Sequence, residues 1–166
     1  MKQELGSTAA KYSVGDEVPL EFLIEQSIIY SDNTAVNILI KNIGQKEYRY
    51  EMQKYCEEEL PEEFFEDNVT TATYSYNVVK YLYEHQEQYQ DLIELAKKSS
   101  NGGYLKKYIT QYDVAHKYGS YDGNVHDYGI VYAPKPYLIG VFTKGVTNAE
   151  ELIANINSKI LTKSQE

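Results

Sequence analysis

Up to about residue 109 the apolar residues recur at three- and four-residue intervals, and from Val114 to Thr143 the period shortens to two. Leu20, Leu23, Ile24 and Ile28 behind Pro19 predict a helix to about Tyr30, with the proline in the first turn, where its missing N–H costs little. Ser31-Asp32-Asn33 interrupts it with three residues that bond to nearby backbone. A second helix is predicted from about Thr34, with Ala35, Ile38, Leu39 and Ile43 inward and Gly44 as its stop. Gln45 to Cys56 reads as a polar helix, and the glutamate-dense stretch from Glu57 to Asn68 as a surface loop. Thr70-Thr71 caps a helix carrying Val78, Val79, Leu82 and Tyr83. A helix from about Gln88 to Lys97 ends at the breaker Ser99-Ser100-Asn101-Gly102-Gly103, and a short one follows from Tyr104 to Ile109. Val114–Lys117, Tyr128–Ala133 and Tyr137–Thr143 read as strands, with Lys135-Pro136 turning between the last two. Asn148 opens a closing amphipathic helix with Leu152, Ile153, Ile156 and Ile160 inward.

A run of helices, an antiparallel strand trio and one last helix is an α+β pattern with segregated elements, expected as one domain over residues 1–166. Composition narrows the function classes. Sixteen basic against 25 acidic residues give a net charge of −9, which repels phosphate backbones and speaks against nucleic-acid binding on a broad basic face. No apolar run reaches the roughly 18 to 20 residues of a membrane span, and the stretch Met1 to Ser7 carries no apolar signal region. The single cysteine, Cys56, excludes an internal disulfide and a cysteine-rich zinc site. His116 and His126 lack partners at metal-ligand spacing, so neither a metal nor a cofactor is expected. Asn68-Val69-Thr70 fits a glycosylation sequon and equally a helix-entry turn. Eighteen tyrosines and no tryptophan leave a tyrosine-rich interaction surface as one open function class.

Two short strings carry candidate chemistry: Ser31-Asp32-Asn33-Thr34-Ala35-Val36-Asn37 on the break between two helices, and His116-Lys117-Tyr118-Gly119-Ser120 at the end of the first predicted strand. In this order, and on these elements, they resemble the Ser-Asp-Asn and Lys-Thr-Gly signatures of the penicillin-recognising serine hydrolases, most closely the class A β-lactamase branch. The resemblance implies acyl transfer on β-lactams or D-alanyl peptides. It assigns Ser31 a proton relay to the leaving nitrogen, and Lys117 the positive charge for the ligand carboxylate and for polarising Ser31. Asn33 would bond the ligand amide, and the backbone N–H of Ser120 would form half of an oxyanion hole. Gly119 would keep the strand surface clear, Tyr118 stands at the middle substrate-contact position, and Asn37 would anchor the loop below the site.

The chain departs from that pattern in four places. Ser-x-x-Lys does not occur, and Thr8-Ala9-Ala10-Lys11 has only the spacing, in a stretch that reads as a linker into the Ser-Asp-Asn helix, so no nucleophile is assigned. The family's N-terminal helix, first two strands and nucleophile helix have no counterpart here, which predicts that a preceding segment, a second copy or strand exchange covers the sheet. Residues 56–68 hold no Arg-x-Glu-Pro-type string to place a deacylating glutamate. Tyr118 replaces the small hydroxyl residue of the middle motif position. The expectation is a family member that does not turn over β-lactams as this chain, with a non-catalytic binding or scaffold module as the alternative. Whether Met1 is the natural start is not encoded, and export is expected only for a full-length parent.

Overall fold

Asp32 starts the longest helix of the first part of the chain: its carboxylate accepts the backbone N–H groups of Thr34 at 2.8 Å and Ala35 at 3.1 Å. The computed structural model describes residues 6–66, 69–99 and 102–166. Asn68 of the sequon, Ser100 and Asn101 of the breaker and the first five residues therefore lie outside the described residues. The chain divides into two compact units, residues 1–69 and 70–166.

The first unit is helical: α1 (Ser7–Lys11), α2 (Leu20–Ile29), α3 (Asn33–Ile43), α4 (Gln45–Gln53) and α5 (Glu62–Glu66). Helices α2, α3 and α4 fall where the periodicity put them, whereas α1 occupies the stretch read as a linker; Gly44, at φ 97°, closes α3 in a backbone region that side chains disfavour. Ile43, expected inward, is exposed in the last turn of α3. A larger correction concerns the acidic stretch read as a loop. It contains α5, and Phe64 within it is wholly buried, with the Arg49 guanidinium 4.8 Å from its ring centroid. The glutamates dominate the composition of that stretch, but two adjacent phenylalanines decide its structure.

The second unit packs α6 (Ala72–Glu84), α7 (Gln90–Lys97), a 3-10 turn at Tyr104–Lys106 and α8 (Ala149–Ser164) on a three-stranded antiparallel sheet. The strands are β1 (Val114–Tyr121), β2 (Asn124–Val131) and β3 (Tyr137–Lys144), in that order, with β2 central. Thr71 caps α6 through its hydroxyl, which accepts the Tyr74 N–H at 3.0 Å. The helix predicted from Tyr104 to Ile109 shrinks to the single 3-10 turn. The first strand is twice its predicted length, because Asp122-Gly123, both at positive φ, form a tight two-residue hairpin that lets β1 run on to Tyr121. The Lys117-Tyr118-Gly119 string therefore lies inside β1 and not at its end.

Pairing between β1 and β2 is unbroken from Val114↔Val131 to Tyr121↔Asn124. At His116↔Gly129 the backbones come so close that a Cβ on Gly129 would sit 2.2 Å from the Ala115 carbonyl oxygen, so only glycine fits. Leu105, Val114, Val131 and Ile153 centre the core of this unit. On α8 the inward row is Ile153, Ala154, Asn157 and Leu161, whereas Leu152 and Ile160, expected inward, are exposed. The row is shifted by about one residue, and it includes a wholly buried asparagine. Among the described residues no helix is long and apolar enough to cross a membrane.

Candidate functional site

In the first unit the fold gathers Ser31, Asp32 and Asn33 at one sharp turn. Ser31 takes a left-handed backbone, φ 54°, which reverses the chain between α2 and α3. Ser31 is half-buried, while Asn33 is exposed at the first position of α3 and Asn37 is exposed one turn further on. The turn is held from beneath by the carboxylate of Asp32, which is buried and also accepts the Thr8 N–H at 2.8 Å and the Ser7 hydroxyl at 3.2 Å. Burial alone would raise the pKa of Asp32; the bonds from the backbone N–H groups of Thr8, Ala35 and Thr34 outweigh it and hold the carboxyl below the usual range. Asp32 thus locks α1 and the start of α3 into one piece.

The Thr8-Ala9-Ala10-Lys11 string forms most of α1. Thr8 is buried, with its N–H on the Asp32 carboxylate. The Lys11 ammonium stands over the Phe22 ring, 4.5 Å from its centroid.

In the second unit, β1 is an edge strand that carries Lys117, Tyr118, Gly119 and Ser120 in succession. Strand alternation puts Tyr118 on the face of Val114 and His116, where it packs against the core. Its ring stacks on Tyr104, centroids 4.9 Å apart and planes 19° apart. The Lys117 ammonium lies 4.9 Å from the Tyr118 ring centroid and donates to the Tyr118 carbonyl at 3.2 Å. Burial pushes the Lys117 pKa down, and the negative charge of Asp127 partly restores it. Space above Gly119 is open, and Ser120 is exposed.

Beneath this strand lies a polar cluster that the sequence analysis did not assemble. His116 and Asp127 are both buried, with Nδ1 2.8 and 3.0 Å from the two carboxylate oxygens. A carboxylate accepts, so Nδ1 is the donor; Nε2 is buried without a hydrogen-bond partner among the described residues. Asp127 also accepts the Leu105 N–H at 3.0 Å, and Asn157 donates to the Leu105 carbonyl at 2.8 Å while accepting the Tyr137 hydroxyl at 2.8 Å. The signal for these residues was in the pattern: Asp127 shares the inward face of β2 with Val131, and Asn157 lies four residues from both Ile153 and Leu161. A polar residue at an apolar-period position needs a buried partner. Among the described residues no group of three or more His, Cys, Asp and Glu is placed to hold a metal ion.

No curated protein sequence matches the chain. Among solved structures, PBP-A is similar, with a TM-score of 0.80 at 17% identity over 96% of this chain and 66% of that one. A PBP-A variant described as an acyl-enzyme complex with penicillin G gives a TM-score of 0.81 at 19% identity, over 96% and 67%. The β-lactamase from Sphaerobacter thermophilus gives 0.79 at 24%, over 93% and 66%. At these identities the likeness shows the fold, and the chain spans about two thirds of the length of those structures. A family model described as the β-lactamase enzyme family matches residues 2–163. The α+β arrangement, the Ser-Asp-Asn turn and the lysine strand are thus framed by a match over nearly the whole sequence: this chain belongs to the β-lactamase enzyme family.

Proposed function

We propose that the chain is the ligand-recognising part of a penicillin-recognising serine hydrolase, engaging β-lactams or acyl-D-alanyl peptides, and that it does not turn them over by itself. The observation that carries this reading is the lysine strand: a half-buried ammonium on an edge strand, open space above Gly119 and an exposed Ser120 suit a ligand carrying a carboxylate and a carbonyl. In this reading Lys117 holds the carboxylate, Ser31 relays a proton and Asn33 bonds the ligand amide. The buried Thr8 and the absence of Ser-x-x-Lys from these 166 residues support the lack of turnover.

Fluorescent penicillin labelling with intact-mass spectrometry, alongside nitrocefin hydrolysis, tests it. The expected result is reversible binding without an adduct and without hydrolysis. A covalent adduct or hydrolysis would overturn the lack of turnover, and no binding would overturn recognition.

A second reading, a scaffold module that kept the fold and lost the chemistry, is favoured by α5. There, buried Phe64 organises the segment in which a deacylating glutamate string would be expected. Absence of any β-lactam binding, with the fold intact, selects this reading.

A further inference from the structure

Tyr104 has a left-handed backbone, φ 51°, a conformation that bulky residues avoid and that persists only where its surroundings over-determine it. The surroundings here are specific. The next residue, Leu105, is held at both main-chain groups: Asp127 accepts its N–H at 3.0 Å and Asn157 donates to its carbonyl at 2.8 Å. Asp127 and Asn157 are themselves wholly buried, and His116 and Tyr137 hold them in turn. What this pinned turn presents is the Tyr104 ring, laid flat against Tyr118 in the middle of the lysine string. Tyr118 in turn has the Lys117 ammonium over its own ring, 4.9 Å from the centroid.

We propose that Tyr104 and Tyr118 form an aromatic platform that positions the Lys117 ammonium, so that Tyr118 is a positioning residue for that lysine. A lysine side chain has four rotatable bonds to freeze, and an ammonium already placed binds an anion with less ordering cost. The electron-rich ring face and the Tyr118 carbonyl provide that placement. Tyr118 therefore does not cover the lysine strand: its ring is drawn to the core side. This inference rests on the reading of Lys117 as the cation for a ligand carboxylate, and it deepens that reading.

NMR of the chain with ¹³Cε-labelled lysine tests the platform, with the Lys117 signal assigned through Lys117→Arg. Protons held over a ring face resonate upfield. The Lys117 Cε protons are expected to move downfield in Tyr118→Leu, to stay in Tyr118→Phe, which keeps the ring, and to move part of the way in Tyr104→Leu. Amide spectra check that each variant is folded, and Tyr104→Leu serves if Tyr118→Leu is not. A Lys117 signal that ignores both leucine variants, or that moves as far in Tyr118→Phe as in Tyr118→Leu, overturns the platform.

Titration with benzylpenicillin separates the platform from the reading it rests on. Binding about 2- to 5-fold weaker in Tyr118→Leu supports both. If the Lys117 signal responds to the variants as expected but benzylpenicillin leaves it unmoved, the platform stands and the ligand reading falls.

Discussion

Asp127 on β2 accepts the backbone N–H of Leu105 at 3.0 Å, and the same carboxylate holds the His116 ring on β1. One buried side chain thereby ties the 3-10 turn to two strands. Asp127→Ala leaves the His116 Nδ1–H and the Leu105 N–H without acceptors, at a cost of about 1–3 kcal/mol for each buried group. Asp127→Asn retains one acceptor oxygen and is expected to lose less. Urea denaturation followed by circular dichroism measures both, and an alanine variant within about 0.5 kcal/mol of the parent would show that the cluster does not hold the unit together.

Asp32 sets the acid limit of the first unit. Its folded-state pKa lies below its unfolded value, because the backbone N–H bonds outweigh burial. Its contribution is therefore complete at neutral pH and is lost as pH falls below about 4 and through the folded pKa. Asp32→Asn still caps α3 but cannot titrate, so its stability should vary less between pH 5 and pH 3 than the parent's. A pH series of thermal melts reads this directly, and parallel curves for the two proteins would contradict it.

Tyr137 sets an alkaline limit in the second unit. Burial raises its pKa to about 12, and its neutral hydroxyl donates to the buried Asn157. Stability from this group is complete below about pH 10 and is lost as pH rises towards 12. Tyr137→Phe should cost about 1 kcal/mol at pH 7 by removing that donor, and it should flatten the alkaline side of the stability profile. Absorbance titration near 295 nm, with the same melts at high pH, checks both parts.

Much of this was legible in the sequence because periodicity and caps are local signals. The helix around Leu23, the break at Ser31-Asp32-Asn33, the Thr71 cap and the antiparallel trio all follow from neighbours a few residues apart. What was not legible depends on distant partners. Phe64 makes a helix of an acidic stretch by entering a core that composition does not reveal. Asp127 and His116 become a pair only through the register of β1 with β2, and Asn157 joins them from 30 positions beyond Asp127. The full reach of β1 has a local signal as well: Asp122-Gly123 is a strong two-residue hairpin pair. On the lysine strand the residue types pointed to chemistry, but the placement of Lys117 over Tyr118 follows from a turn that begins at Tyr104.

The unbroken register of β2 with both neighbours restricts how this sheet can diverge. A one-residue insertion within β2 would exchange inward and outward faces, turning Asp127 away from Leu105 and bringing Tyr128 or His126 into its place. Changes of length are thus confined to the Asp122-Gly123 turn and to the connection from Tyr132 to Pro136. New ligand preferences on this scaffold must arise by exchanging side chains at fixed positions, with the polar cluster under β1 acting as a ratchet on alignment.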